Sequence, residues 1–365
     1  MKKLKIFLKV LTLIIFLIYF LNLNYNFDED FLETFLKTDF ENLVGNLFNN
    51  NYKEIPVEEN SNIFEVYFCP NDNCSKVFNY YINKSQEEIL CALYDFDLES
   101  TISILNNKSN FINITIIIDE DNSYFLKKNS KDNINIITDK YRNSKYDNYM
   151  HHKFCIIDKK IVTTGSMNPT YNGVFKNNND LLIINSTYLS KNYFNEFKEL
   201  KDKKFGADKS KFNLYNPILL NVSSNIYEIK SYFCPNFDCE EIVNSYLKSA
   251  NRSIYFSIFV ITSDIISNRL VSKKKEGLDV KGVIEKRNQN ILGSDYDKIK
   301  NFTKLDYNKY TMHHKFFIID NETVITGSMN PTKSGSYYND ENILIIKNKN
   351  LAEKYIDYFY SEIYK

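Results

Sequence analysis

The chain has 365 residues, and its 46 lysines and arginines are balanced by 46 aspartates and glutamates. That balance excludes the strongly basic surface of a protein that coats nucleic acid, although a local positive groove remains compatible with it. Hydrophobic residues make up 43% of the chain and aromatic residues 15%, enough to fill two cores.

The first 26 residues have the pattern of a targeting segment. Four lysines within the first nine residues precede an almost purely apolar run, Val10–Leu21. This order is typical of a signal peptide or of an uncleaved signal anchor. Because no small-x-small cleavage site follows, we favour a hydrophobic membrane helix, with the folded domains extracytoplasmic or lumenal. Cleavage would instead give a secreted protein. Residues 27–61 then form a tether.

Two similar units follow, at residues 62–205 and 226–365, joined by a polar linker at 206–225. Both begin with the same text, Tyr-Phe-Cys-Pro-Asn, at Tyr67 and Tyr232. In each unit, helix-like stretches alternate with short apolar runs that are typical of strands. This alternation predicts an α/β fold in which each unit is a mixed sheet flanked by helices.

The six cysteines leave several states open. Cys69 and Cys74 have the same spacing as Cys234 and Cys239, so an oxidising compartment would favour two local disulfides. A shared zinc site with four cysteine ligands and free buried thiols are the alternatives. The other two, Cys91 and Cys155, lie inside apolar runs and are expected in the core.

One segment, Met150–Thr170, returns almost unchanged at Met312–Thr332. Both copies read His-x-Lys, four residues, Asp, six residues, Gly-Ser-x-Asn. All 4 histidines of the chain lie in these two segments. The pattern positions are His151, Lys153, Asp158, Gly165, Ser166 and Asn168, and then His313, Lys315, Asp320, Gly327, Ser328 and Asn330.

Each copy supplies a half-site that suits a phosphate group. The histidine can attack phosphorus or transfer protons, and the lysine neutralises negative charge. The serines and asparagines (Ser166, Asn168, Ser328, Asn330) are expected to bond phosphate oxygens. Asp158 and Asp320 are interpreted as turn residues that bond the backbone.

The duplicated motif resembles the signature of the phospholipase D superfamily, in particular its small nuclease-like and cardiolipin-hydrolase-like members. The resemblance implies two repeats packed about a pseudo-two-fold axis and a reaction through a phosphohistidine, with no metal or other cofactor. Both half-sites lie in one chain, so a monomer is expected.

The two repeats differ at one position that bears on the mechanism. Glu341 lies 28 residues after His313, whereas the residue at the same distance from His151 is Asn179. A carboxylate partner would stabilise a cationic phosphohistidine, and if Glu341 pairs with His313 that histidine is the nucleophile. The family resemblance instead implies His151, so both remain candidates.

Three functions are compatible with these features. The first is hydrolysis of phospholipid head groups, because the motif pair occurs beside an expected membrane anchor. The second is cleavage of DNA or RNA by the same site. The third is a non-catalytic protein that binds phosphate groups at a membrane.

Overall fold

A computed structural model describes residues 52–140 and 148–365. The expected N-terminal membrane helix and most of the tether lie outside these residues. Within the two described ranges, no helix is both long enough and apolar enough to span a bilayer.

The described chain contains two β-sheets. The strands that precede or belong to the first repeat are β1 (Val57–Ser61), β2 (Phe64–Cys69), β3 (Glu88–Leu93), β4 (Asn113–Ile118), β5 (Asn135–Thr138), β6 (Lys153–Ile157), β7 (Ile161–Gly165) and β8 (Asn179–Asn185). The later strands are β9 (Ile218–Val222), β10 (Asn225–Cys234), β11 (Ser253–Ile258), β12 (Asp279–Ile284), β13 (Thr303–Leu305), β14 (Lys315–Ile319), β15 (Thr323–Gly327) and β16 (Glu341–Lys347).

Helices flank the sheets. Those of the first repeat are α1 (Cys74–Lys84), α2 (Glu99–Lys108), α3 (Ser123–Asn129), α4 (Tyr171–Phe175) and α5 (Thr187–Lys201). Those of the second are α6 (Cys239–Ser249), α7 (Asp264–Lys275), α8 (Tyr296–Ile299), α9 (Lys333–Tyr337) and α10 (Lys349–Tyr358).

Both sheets have the same strand order, which confirms the internal repeat. The first runs β2-β8-β7-β6-β3-β4-β5, and the second runs β10-β16-β15-β14-β11-β12-β13. In each, the last three strands are parallel and the others pair antiparallel. The predicted α/β class with a mixed sheet in each repeat is therefore correct. These strands are buried on both faces, which is why they read as continuous apolar runs.

The second sheet extends beyond its repeat. Strand β9, from the linker, pairs with β10, and β1, from the end of the tether, pairs in parallel with β9. The second sheet therefore has nine strands, and the segment before the first repeat is tied to the second repeat.

A continuous core joins the two repeats. Helices α5 and α10 pack against the sheets with their apolar faces, and the fully buried Tyr193 and Tyr355 occupy equivalent positions on them. Their hydroxyls reach residues at the sheet centre: Tyr355 donates to Asp180 Oδ2 at 2.7 Å, and Tyr193 donates to Thr164 Oγ1 at 3.2 Å. The buried hydroxyls are thus satisfied, as an apolar interface requires.

The cysteines form three disulfides. Cys69–Cys74 and Cys234–Cys239 are the two local bridges that the spacing allowed, which excludes the shared zinc site. Cys91 and Cys155 are buried, as expected, but they form a third bridge between β3 and β6. The predicted core position of both residues is correct, and the bridge was not predicted; it forms because the two residues face each other in the antiparallel ladder.

The motif aspartates fix the turns behind the site. Asp158 follows β6 and accepts hydrogen bonds from the backbone N–H groups of residues 86, 87 and 88. Asp320 does the same for residues 251, 252 and 253. Burial alone would raise the pKa of Asp320, but these three donors hold that pKa below its usual value. Both carboxylates therefore bond backbone, as their positions in turns predicted.

Candidate active site

The two histidine segments meet at the interface between the repeats. The backbone N–H of His151 donates to the carbonyl of Asp340 at 3.0 Å, and that of His313 donates to the carbonyl of Asn178 at 2.9 Å. Residues 178 and 340 occupy equivalent positions just before β8 and β16. Each histidine segment is therefore held by the opposite repeat, and one cleft contains both histidines.

The side chains of the histidines also cross between the repeats. Nδ1 of His151 lies 2.7 Å from Oε1 of Glu341, and Nδ1 of His313 lies 2.9 Å from Oδ1 of Asn179. The pairing of Glu341 with His313 considered from sequence is therefore wrong. Spacing along the chain identified the right residue, but the carboxylate serves the histidine of the other repeat.

A second pair of contacts lies behind the first. His152 and His314 are fully buried, on the side opposite to His151 and His313. Nδ1 of His314 lies 3.7 Å from Oδ1 of Asp180, whereas His152 has Asn342 at the equivalent place, at 3.4 Å. The first repeat thus reads Asn-Asp at 179–180 and the second Glu-Asn at 341–342. One carboxylate faces the cleft and the other faces the core.

The buried glycines allow this arrangement. Gly165 and Gly327 have φ values of 129° and 142°, and a Cβ atom there would lie 2.4 and 2.3 Å from the carbonyl oxygens of Asp180 and Asn342. Only glycine permits this approach. It lets the next residue, Ser166 or Ser328, donate its backbone N–H to the same carbonyls at 3.1 Å.

The motif lysines line the cleft beside the histidines. Nζ of Lys153 donates to the carbonyl of His151 at 2.7 Å, and Nζ of Lys315 donates to the carbonyl of His313 at 2.7 Å. Tyr94 covers Lys153, with its ring centroid 5.3 Å from Nζ, and Phe259 covers Lys315 at 5.1 Å. Two amines, largely shielded from water, therefore line the cleft beside the histidines.

Burial controls the protonation of these groups. Desolvation lowers the pKa of both His151 and His313, and the two lysines lower each of them further. Both imidazoles are therefore neutral near neutral pH. Burial also lowers the pKa of Lys153 to about 7 and raises the pKa of Glu341 to about 7. A phosphate anion in the cleft would raise the lysine and histidine pKa values again, because opposite charge favours the cationic forms.

The residues predicted to bind phosphate fall into two groups. The hydroxyl of Ser166 donates to Oδ1 of Asp180 at 2.6 Å, and the hydroxyl of Ser328 accepts from the backbone of Asn342 at 2.9 Å. Both serines are fully buried, and these hydrogen bonds show that their hydroxyls already have protein partners. Asn168 and Asn330 are half-buried, and among the described residues their Oδ1 atoms have no hydrogen-bond partner. A phosphate-binding role remains a prediction for all four.

The structure adds residues that the sequence did not indicate. Tyr94 and Phe259 pack against the rings of His151 and His313 at centroid distances of 4.7 and 4.9 Å. Both come directly after a buried strand, which is the only sequence signal that could have found them. Lys209, in the linker, is fully buried beside Glu196 and Asp340.

Comparison with known protein families shows to which family the chain belongs. The family described as "Cardiolipin synthase, PLD-like domain" matches residues 79–201 and 243–363, one match in each repeat and together more than half of the chain. The chain belongs to this phospholipase D-like family. As a member with both motifs complete, the phospholipase D-like protein is an enzyme of the phosphodiesterase class.

Individual relatives of this phospholipase D-like protein agree with that placement. It is 27% identical over 186 residues to a phospholipase D of Rickettsia prowazekii, covering 49% of this chain and 84% of that protein. It is 31% identical to a mitochondrial cardiolipin hydrolase of Chlamydomonas reinhardtii, over 31% of this chain and 52% of that protein. The fold is shared with phosphatidylserine synthase of Haemophilus influenzae, at a TM-score of 0.61 and 11% identity, over 82% of this chain and 86% of that one.

Proposed function

We propose that the protein hydrolyses phospholipid head groups through a phosphohistidine on His151. The observation that carries the proposal is the crossed arrangement of the cleft, in which both histidines and both lysines surround one space. The relatives named for phospholipid chemistry support a lipid substrate. We further propose that the repeats are related by a pseudo-two-fold axis, since their contacts are reciprocal, and that residues 1–26 anchor the enzyme to a membrane.

The two steps follow from the partners of each imidazole. Nε2 of His151 attacks phosphorus, and the P–N bond forms as the P–O bond to the leaving alcohol breaks. His313 donates a proton to that alcohol oxygen. It then takes a proton from water, which attacks the phosphohistidine and releases His151 with the phosphate product. Lys153 and Lys315 neutralise the charge that develops on the phosphate oxygens.

The carboxylate of Glu341 supports His151 as the nucleophile. Phosphorylation makes the imidazole ring cationic, and a buried anion 2.7 Å from Nδ1 stabilises that cation more than a neutral amide does. His313 has only the amide of Asn179, which suits a group that must gain and lose a proton in turn. The asymmetry between positions 179 and 341 thus divides the roles.

A paired substrate assay tests the proposed function. The full chain should release head-group alcohol from phospholipid vesicles in EDTA, whereas the His151→Ala variant should not. A single-stranded oligonucleotide is incubated in parallel under the same conditions. Cleavage of the oligonucleotide without any head-group release would contradict the lipid proposal and favour a nuclease. Vesicle binding that persists without turnover and without either motif histidine would identify a non-catalytic phosphate-binding protein.

Replacing Glu341 should slow the reaction while leaving the shape of the cleft unchanged. Glu341→Gln keeps the side-chain size but removes the negative charge, so we expect kcat to fall about a hundredfold, within the range for acid–base assistance. Because ionised Glu341 is the active form, wild-type activity should rise as pH passes about 7, and the variant should lack that rise. A pH profile of kcat/KM, which reports the groups of the free enzyme, tests the rise, and kcat at saturating substrate measures the fall.

The matched control uses the equivalent position of the other repeat. Asn179→Ser removes the partner of His313 without changing charge, so its pH profile should retain the rise near neutrality. If Glu341→Gln and Asn179→Ser give the same profile, the carboxylate has no special role beside His151.

A further inference from the structure

An apolar loop projects into solvent next to the cleft. It spans Gln289–Gly293, and its side chains include Ile291, which is 37% exposed, and Leu292, which is fully exposed. Neighbouring aliphatic side chains at the tip of a loop offer apolar surface that gains free energy when another molecule removes it from water. The loop therefore has the character of a contact surface.

The base of this loop contacts the catalytic half-site. Asn288 donates from Nδ2 to the carbonyl of Phe259 at 2.8 Å, and the ring of Phe259 packs on His313. Arg287 donates to Oγ1 of Thr311 at 2.8 Å, two residues before His313. The apolar loop thus begins at the rim of the cleft.

An aromatic–basic patch lies along the same rim. It consists of Tyr171, Phe175 and Lys176 from the first repeat and Lys309 and Tyr310 from the second. Nζ of Lys176 lies 5.0 Å from the ring centroid of Tyr171 and 5.2 Å from that of Tyr310, and Nζ of Lys309 lies 5.1 Å from Tyr310. The patch therefore spans the boundary between the repeats.

A cavity of about 400 Å³ lies beneath this patch. Its walls include four of the patch residues, all except Tyr171, together with Asn178 and Met312. Asn178 accepts the backbone hydrogen bond of His313, and Met312 directly precedes that histidine. The cavity is therefore adjacent to the second half-site, and its walls are partly apolar, with two lysines and the carboxyl groups of Asp306 and Glu362.

We infer that the apolar loop and the aromatic–basic patch together dock onto an anionic phospholipid bilayer, an inference that rests on the proposed function. Leucine and isoleucine gain by entering hydrocarbon, and aromatic rings favour the region between hydrocarbon and water. The lysines beside those rings attract anionic head groups. Single-stranded nucleic acid would also suit the rings and lysines, but aliphatic side chains offer its bases no stacking surface. The aliphatic side chains of the apolar loop therefore favour a bilayer over single-stranded nucleic acid as the partner.

The chain contains no tryptophan, so a single introduced indole reports on one position. In the full chain, Leu292→Trp should show blue-shifted emission with vesicles of equal parts phosphatidylcholine and phosphatidylglycerol. Brominated acyl chains should quench that emission. The matched control is Phe111→Trp, because Phe111 is 85% exposed and precedes β4, at the end of the sheet opposite the cleft. Its emission should not respond to the vesicles.

Activity of both variants on the soluble diester bis(p-nitrophenyl) phosphate separates the two proposals. If this diester is hydrolysed and the indole of Leu292→Trp enters the bilayer, docking is supported even when vesicle lipids are not cleaved. If vesicle lipids are cleaved but the emission of Leu292→Trp is unchanged, or shifts only with a single-stranded oligonucleotide, docking is overturned.

A second variant, Ile291→Ser with Leu292→Ser, should lose about tenfold or more in vesicle turnover, the loss expected for one unburied leucine. Its turnover of the soluble diester should not change.

Discussion

The His313→Asn variant is expected to release about one equivalent of p-nitrophenolate from bis(p-nitrophenyl) phosphate and then stop. This leaving group departs without a proton, so His151 can form its phosphorus–nitrogen bond without an acid. The second step needs a base to activate water, and the variant has none. Steady-state turnover should therefore fall by about 10²- to 10⁴-fold, the usual contribution of acid–base catalysis.

The covalent product identifies the nucleophile directly. Digestion at alkaline pH preserves a phosphohistidine, and mass spectrometry should place the added p-nitrophenyl phosphate on the peptide that contains His151. The His151→Asn variant should show neither the burst nor the adduct. An adduct on the peptide that contains His313 would reverse the two roles and contradict the argument from Glu341.

Much of the fold could be predicted from sequence because its strands are apolar and its halves repeat. The runs at Ile89–Tyr94 and Ile254–Phe259 predict β3 and β11 to within one residue. Their burial on both faces gives a signal that is strong even without alternation. The pairing of Cys91 with Cys155 could not be predicted in this way, because it depends on how β3 and β6 align across 64 residues of sequence.

The site shows a sharper limit of sequence reasoning. The motif identified His151, His313 and both lysines, and the constant spacing identified Glu341 as a supporting group. The spacing could not show which histidine Glu341 serves, because each strand end approaches the histidine of the other repeat. Sequence therefore suggested the wrong histidine as the partner of Glu341 and left the nucleophile undecided, although every residue involved had been recognised.

The linker contains a second feature that sequence could not indicate. A lysine in a polar segment is usually solvated, yet the side chain of Lys209 is fully buried. Its Nζ contacts Oε1 of Glu196 and lies 2.9 Å from Oδ1 of Asp340. Glu196 in turn lies 2.9 Å from Nε2 of His152, and the carbonyl of Asp340 accepts the backbone hydrogen bond of His151. One buried cation therefore ties the linker to the backbone that holds His151.

Replacing that cation should destabilise the protein strongly. Lys209→Met leaves two buried carboxylates without their counter-ion, and removing one partner of a buried ion pair costs about 3–5 kcal/mol. The midpoint of urea unfolding should fall accordingly. The control is Lys204→Met, which removes a partly exposed pair with Glu199 and should change the unfolding free energy by about 1 kcal/mol or less.

The first repeat suggests how the loss of unfolding free energy in Lys209→Met can be reduced. The position equivalent to Asp340 is Asn178, and its backbone makes the same contacts with the opposite histidine segment without a charge. Combining Asp340→Asn with Lys209→Met removes one of the two negative charges that the lysine neutralises, so the double variant should regain part of the lost unfolding free energy. If the double variant is no more stable than Lys209→Met alone, the stabilisation comes from the packing of the lysine stem, because the charge of Asp340 would then contribute nothing measurable.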